Sequence, residues 1–565
     1  MSTRAGKHKK ALERIAGTGY RTHEYRLGTM SLSIRERSQK VADYLEDNAV
    51  TGIGAIAAAV GISKSSAHRH QQGILRRQQQ EAESGWWETT AGSRWLKLIV
   101  LGVVYYFGIK QGVGAERLSE FLQAVRLDQH VGSSASALRT LKQQMQQAII
   151  AYEEAQSSNC QPKAGTGICV GGDETFFGGL PILVMMELAS GFILTEVACE
   201  NRTYQTWSEQ IVQWWSQTGW QCHFMVSDGA QALIKLAVTG LGCVSVVDLF
   251  HALRALVKPL GSAIGRQISQ LQTQQAKLQQ QVALATDATQ QQALRQALDS
   301  LGHQQHDLAQ AQHTYQSALH TITQAVHPFQ IETLDWHRLS TLAAALTAPL
   351  QALSTLALTY GTDQANTAID TFRRHTPALA QGIHAWWQWV TLALAAQTDD
   401  LELQNWVITS LLPWVYWQQQ ADKTRHRELK HRYQQAAQQA YTAVLNHALT
   451  AQLDDTQRQH WVGWCQWMAA KYQRTSSAVE GRNGYLSRLH HAGRGFSDHT
   501  LQVLTIIHNF DLKRTDGTTA AQRLFDHDFP NLFAWVVEQM GDLPMPRQSS
   551  QSHRPNPLSS MLFPA

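Results

Sequence analysis

Ile168-Cys169-Val170-Gly171-Gly172-Asp173 and His223-Phe224-Met225-Val226-Ser227-Asp228 are two apolar runs that each end on an aspartate. Short apolar runs bounded by glycine or turn residues predict buried strands. Further strand-like runs lie at 181–188, 192–199 and 243–248, with a Trp-rich helix at 204–217 and another helix at 230–238. In this order of elements the first and fourth strands are neighbours. Asp173, ending strand one, and Asp228, ending strand four, therefore meet across adjacent strands. Glu174 is expected on the opposite face, because side chains alternate along a strand.

Three strands, a helix, a strand, a helix and a strand is the order of the ribonuclease-H-like α/β fold. A third acid, Glu480, opens a predicted helix in Ser476-Ser477-Ala478-Val479-Glu480-Gly481-Arg482-Asn483. Mg²⁺ takes hard oxygen ligands, often a few carboxylates completed by substrate phosphate. Two strand-end aspartates and one helix glutamate would hold two such ions (Mn²⁺ substituting) against a phosphodiester. Two of the three acids also have a plainer local role. Asp228 before Gly229 would turn the strand and cap the next helix, and Ser477 with Glu480 matches a capping box. Asp173, flanked by glycine, has no such local partner in the sequence. On a helix starting at Ala478, Glu480, Asn483, Ser487 and His490 or His491 share one face, with Val479, Leu486 and Leu489 toward another. Arg482 and Arg488 would reach a DNA backbone.

Outward from this core, residues 1–29 are expected to form a basic, flexible arm, and Met30 reads as an alternative start. Residues 30–80 read as a DNA-binding helix-turn-helix, with helices at 35–47, 53–60 and 64–77 and Gly61-Ile62-Ser63 as the turn. The third helix offers Lys64, Ser65, Ser66, His68, Arg69 and His70, extended by Arg76 and Arg77, to base edges and phosphates. Alternatively that helix serves packing only. A second helical module is expected over 90–160, the first part of the core over 165–260, and an all-helical insertion over 261–470. Within the insertion, residues 263–326 predict a low-charge helical hairpin broken at Thr286–Gln290, a protruding structural or protein-contact element. The second part of the core, carrying Glu480, spans 471–540, and 541–565 reads as a disordered tail. Trp386, Trp387 and Trp389, and Trp461, Trp464 and Trp467, are read as core packing between long helices. The sharper alternative is stacking on a flipped base at a DNA end.

A chain of 565 residues exceeds one hydrophobic core. Its formal net charge of +4 permits nucleic acid without demanding it. The six cysteines form no C-x-x-C pair, which argues against a zinc ribbon or a disulfide framework and for a reducing compartment. No signal peptide is expected. The longest apolar segment, Trp95 to Ile109, is shorter than the ~20 residues of a membrane span and reads as a buried helix. The expectation is a cytoplasmic, nucleoid-associated protein with no membrane partner.

Gly171-Gly-Asp-Glu-Thr-Phe-Phe-Gly, Val226-Ser-Asp-Gly-Ala and Ser477-Ala-Val-Glu-Gly-Arg-Asn-Gly resemble the three acidic motifs of DDE-type transposases from bacterial insertion sequences. Asp248-Leu-Phe-His251 is similar to the acidic-x-x-His signature that follows the second aspartate in several such superfamilies, Mutator-like ones included. The resemblance covers 168–260 and 470–515, and the helical block between is similar to the insertion domains of those families. It implies that Asp173, Asp228 and Glu480 bind the metals, and that His251 supports them or contacts DNA. Asp248 is equally accounted for as a helix cap. The implied activity is hydrolysis at transposon ends and strand transfer into double-stranded target DNA, by a homodimer. Two rivals are a structure-specific nuclease of the same fold and a non-catalytic DNA-binding regulator derived from a transposase.

Overall fold

The computed structural model describes residues 32–48, 52–78, 82–162, 167–492 and 497–546. The expected basic arm, the alternative start and the end of the expected tail lie outside them. The chain is mostly helical with one mixed five-stranded sheet, in agreement with a multidomain α and α/β architecture. It packs as two compact units. One contains the described residues up to Val103, Glu116–Leu138 and those from Gly541; the other contains Val104–Ala115 and Arg139–Met540.

In the first unit, α1 (Ile34–Asp47), α2 (Ile53–Val60) and α3 (Lys64–Gln78) enclose a small core of Val41, Ile56, Val60, Ala67 and Ile74. Ser33 and Glu36 form a capping box on α1, and the Ser63 hydroxyl accepts from the Ser66 amide at 3.2 Å to start α3. α4 (Thr90–Val103) buries Leu96, Val100 and Leu101. Continued by Val104–Ile109, it makes 20 residues, longer than the expected apolar segment and sufficient in length and composition to cross a membrane. The module expected over 90–160 is divided: α5 (Ala115–Ala124) lies almost wholly in the first unit, whereas α6 (Ala135–Gln156) leaves it after one turn. The start of the expected tail is ordered against this unit. The Gly132 amide donates to the Pro544 carbonyl at 2.6 Å, and Leu543 is buried.

The second unit is built on the sheet β1 (Gly167–Phe177), β2 (Leu180–Glu187), β3 (Phe192–Ala198), β4 (Gln221–Ser227) and β5 (Val244–Val247). Its order is β3-β2-β1-β4-β5, with β1–β2 and β2–β3 antiparallel and β1–β4 and β4–β5 parallel. β1 does not end at Asp173. It continues through Phe177 because Gly178 and Gly179, at φ 60° and 86°, close a tight hairpin that carries Thr175, Phe176 and Phe177 back onto β2. α7 (Tyr204–Thr218) and α8 (Gln231–Lys235) connect β3 to β4 and β4 to β5. Around α7, Trp207 and Ile211 pack with Val170, Leu183 and Met225 of the sheet in one core.

The opposite core joins the sheet to the helices that follow. α9 (Leu249–Leu284) and α10 (Ala288–Ala325) form a hairpin that begins at Leu249 rather than at 263, since Asp248 caps one continuous helix. Leu301, Leu308, Tyr315 and Ile322, seven residues apart, are buried along α10, as a heptad seam requires. Gln305 fills a gap in that seam by bonding Gln275 at 2.9 Å. α11 (Leu339–Tyr360), also apolar enough to cross a membrane by composition, packs against α10 and α12 (Asp363–Ala395) and contains Pro349. α13 (Leu401–Trp406), α14 (Leu412–Lys423), α15 (Arg427–Asn446), α16 (Ala448–Gln452) and α17 (Asp455–Lys471) complete the helical block. Trp386, Trp387, Trp389, Trp461 and Trp464 are buried as core residues, whereas Trp467 is 42% exposed.

The chain then returns to the sheet through α18 (Ser477–Ala492) and α19 (Asp498–Phe510), and ends with α20 (Ala520–Phe525) and α21 (Leu532–Gln539). A buried ion pair marks this return: Lys471 Nζ lies 3.2 Å from Glu187 Oε1, with side chains 8% and 0% exposed. Burial opposes the charge on Glu187, but Lys471 and two Ser190 hydrogen bonds outweigh it and hold the carboxyl below its usual range.

Candidate active site

Gly171 of β1 and Val226 of β4 are parallel partners, and each lies two residues before an aspartate. The period-two alternation of strands therefore sets Asp173 and Asp228 side by side on one face, just past the end of the β1–β4 ladder. Asp228 is exposed, and its Oδ1 accepts from the Ala230 amide at 2.8 Å, so it also makes the turn into α8. Glu174 points elsewhere, to Arg202 at 2.9 Å.

The third acid arrives on α18, and glycine is what admits that helix. A Cβ on Gly171 would stand 2.6 Å from Leu188 Cδ2 and 3.2 Å from Val479 Cγ2. Val479 thus sits on bare β1 backbone, and Glu480 beside it comes within electrostatic range of Asp173. One turn on, Asn483 Nδ2 donates to Asp173 Oδ2 at 2.9 Å, while the buried Asn483 Oδ1 has no protein partner. Burial, then Glu480, and less strongly Glu174 and Asp228, push the Asp173 carboxyl up to about 7. The neighbouring cations do not relieve this crowding, because Arg202 is engaged by Glu174 and Arg482 by Glu196.

Asp248 joins the entry and exit of the helical block. Its Oδ1 accepts from the His251 amide at 3.1 Å, capping α9, and its Oδ2 accepts from the Ser476 amide at 2.6 Å and from the Ser476 hydroxyl. His251 Nε2 then meets Glu480 Oε1 at 3.0 Å. Asp248 is fully buried, and so acts as a cap and as the tie that places both His251 and Glu480. Asp248→Ala is expected to lose about 2–4 kcal/mol, one cap plus charge-assisted bonds to Ser476. Chemical unfolding would show it. A loss below about 1 kcal/mol would mean that the tie is not needed.

Asp173, Asp228, Asp248, His251, Glu480 and Asn483 are thus brought together. Arg482 is not with them. It is buried at 2% exposure and binds Glu196 of β3 through Nε (2.8 Å) and Nη2 (2.6 Å), with Thr505 donating to Glu196 at 2.7 Å. The expected DNA contact is a structural anchor, turned inward because Glu196 waits across the sheet. Arg488 is exposed on α18. On α3, Lys64, Ser65, His68, Arg69 and Arg76 are exposed, but Ser66 is buried at 7% against the small core. His70 is half-buried, and the Arg77 side chain lies outside the described ones.

A family model described as a family of unknown function (DUF6399) matches residues 407–552. That segment contains Glu480, Arg482, Asn483 and Arg488 but neither aspartate. No curated protein and no solved structure matches the chain.

Two features escaped the sequence reading. The Glu187–Lys471 and Glu196–Arg482 pairs span hundreds of residues, and no local pattern announces them. The second is His320, His426 and Glu428, whose donor atoms lie within 4.8 Å of one another. Imidazoles are poor Mg²⁺ ligands, and this group lies on α10 and the start of α15.

Proposed function

We propose that the chain is a DNA transposase of DDE type, cutting phosphodiesters at the ends of a mobile element and joining them to target DNA. The reading rests foremost on the convergence of Asp173, Asp228 and Glu480, from two adjacent parallel strands and a helix more than two hundred residues later. The sheet order supports a ribonuclease-H-like core, and α1–α3 with their tight turn support a helix-turn-helix that would bring DNA. The crowded, partly buried carboxylates, with no lysine or arginine bound to them among the described residues and an unpartnered Asn483 Oδ1 beside them, fit a divalent metal site.

Two Mg²⁺ ions would polarise the scissile phosphate and stabilise the entering and leaving oxygens of an in-line displacement. Asp173, Asp228 and Glu480 would be their ligands, with the open edge beyond the β1–β4 ladder left for substrate. Asn483 orients Asp173 through its amide. His251 fixes one oxygen of Glu480, and the other would be the metal ligand. Asp248 holds both partners in register, and no side chain is required as a covalent nucleophile.

The test is Mg²⁺-dependent cleavage and strand transfer on the DNA flanking this gene, comparing wild type with Asp228→Ala. End-specific nicking and joining that disappear in the variant are the expected result. Sequence-specific binding without cleavage by either protein, even with Mn²⁺, would overturn it in favour of a regulator. Cutting that follows DNA shape and ignores the ends would favour the nuclease.

A further inference from the structure

α9 starts at the carboxylate site and leads away from it. Over its 36 residues it carries Arg254, Lys258, Arg266 and Lys277 and no acidic residue. At 100° per residue these four fall within an arc of about 140° that also contains His251, the residue bonded to Glu480. Leu249, Ala252, Leu256, Leu260, Ala263 and Ile264 occupy the opposite, buried face. All four cations are exposed, and none forms an ion pair among the described residues. A helix of ordinary surface composition would intersperse both signs of charge. Here a chain of net charge +4 places four exposed cations, unpaired among the described residues, on one face of a helix without acids.

We infer that this face is a phosphate track, holding the backbone of duplex DNA as it leaves the carboxylate site. The inference deepens the proposed function by naming where the DNA runs. The dimensions suit it. Arg254 and Lys258 are about 6 Å apart along the axis, and Arg254 to Lys277 spans about 35 Å at 1.5 Å per residue. That length is close to one turn of B-DNA, about 34 Å. Side chains at this spacing neutralise phosphates without reading bases, so the track adds affinity and direction but no sequence preference. It also gives the first arm of the hairpin a role that its low overall charge conceals.

The test compares the full chain with Arg254→Gln/Lys258→Gln/Arg266→Gln, which keeps good helix formers and removes three exposed charges. A charge-matched control is Arg295→Gln/Arg373→Gln/Arg374→Gln. Binding to a 40-base-pair duplex of arbitrary sequence is followed by fluorescence anisotropy across salt concentrations, without divalent metal. The track predicts that the slope of log Kd on log salt falls by about 2.7 in the first variant, about 0.9 per lost phosphate contact. The control should keep the parent slope. Equal loss in both variants, or an unchanged slope in the first, overturns the inference. So does a loss confined to binding of anionic phospholipid vesicles with duplex binding intact. The catalytic reading fails separately: a shifted slope in a protein that never cuts DNA leaves the track standing, and cutting with an unshifted slope removes the track alone.

Discussion

Replacing Asp173 by asparagine is expected to abolish Mg²⁺-dependent cleavage and, in the same protein, to raise thermal stability at pH 8. The first effect follows from losing a metal ligand: about 4 kcal/mol of transition-state stabilisation is about a thousandfold in rate. The second follows from the electrostatics of the metal-free site. Burial and Glu480 push Asp173 up to about 7 from an ordinary 3.8. Between those values the folded protein binds more protons than the unfolded chain, so stability falls as pH rises from about 4 to about 7. Above pH 7 the full penalty is present. Asparagine carries no charge to penalise and preserves the shape of the side chain. A gain of about 2 kcal/mol is expected after allowing for solvent at the open edge, or roughly 2 °C in midpoint for a unit of this size. Mg²⁺ should stabilise the wild type, more strongly at pH 8 than at pH 6, and leave the variant unmoved. Thermal scans at the two pH values, with and without Mg²⁺, decide the matter. A variant less stable than wild type at pH 8 would show that Asp173 is a structural residue.

Arg482→Ala carries the second large effect, in the opposite direction. Arg482 and Glu196 have side chains 1% and 0% exposed, and removing one partner strands the other charge in the core. Breaking such a pair costs about 3–5 kcal/mol, so the midpoint should drop by about 5 °C in a unit of this size. Because Arg482 pins α18 to β3, activity should fall with stability, and Arg482→Lys should recover only part of either. Lysine supplies the charge but not the two parallel bonds to Glu196. The outcome that would sink this account is an alanine variant with native stability and weakened DNA binding, which would return Arg482 to a substrate-facing role.

The strands were legible because buried strands leave contiguous apolar runs, and each run lay close to its observed place. The overshoot of β1 was not, since Asp173 interrupts the apolar run and hides that Thr175–Phe177 continue the ladder with β2. The three acids could be singled out from their local settings, but their convergence rested on an assumed strand order. Arg482 misled because helical periodicity gives the direction of a side chain and not what it meets; Glu196 is 286 residues away. Ser66 misled for a related reason: its place early in α3 suggested exposure, but it falls on the side of the helix that closes the small core. The hairpin's first arm extends upstream of 263 because the Asp248 cap sets the helix start, and a seam pattern alone does not locate a cap.

One side chain, Asp248, touches backbone on both sides of an excursion 228 residues long. Departure and return are therefore a single address in the fold. The two ends of the block are thereby fixed relative to the carboxylates, while its α12 closes the same sheet, with Gly382 against Val246 and Trp389 stacked on His223. The block is held at its mouth and seated along the sheet, with Asp248 as the collar.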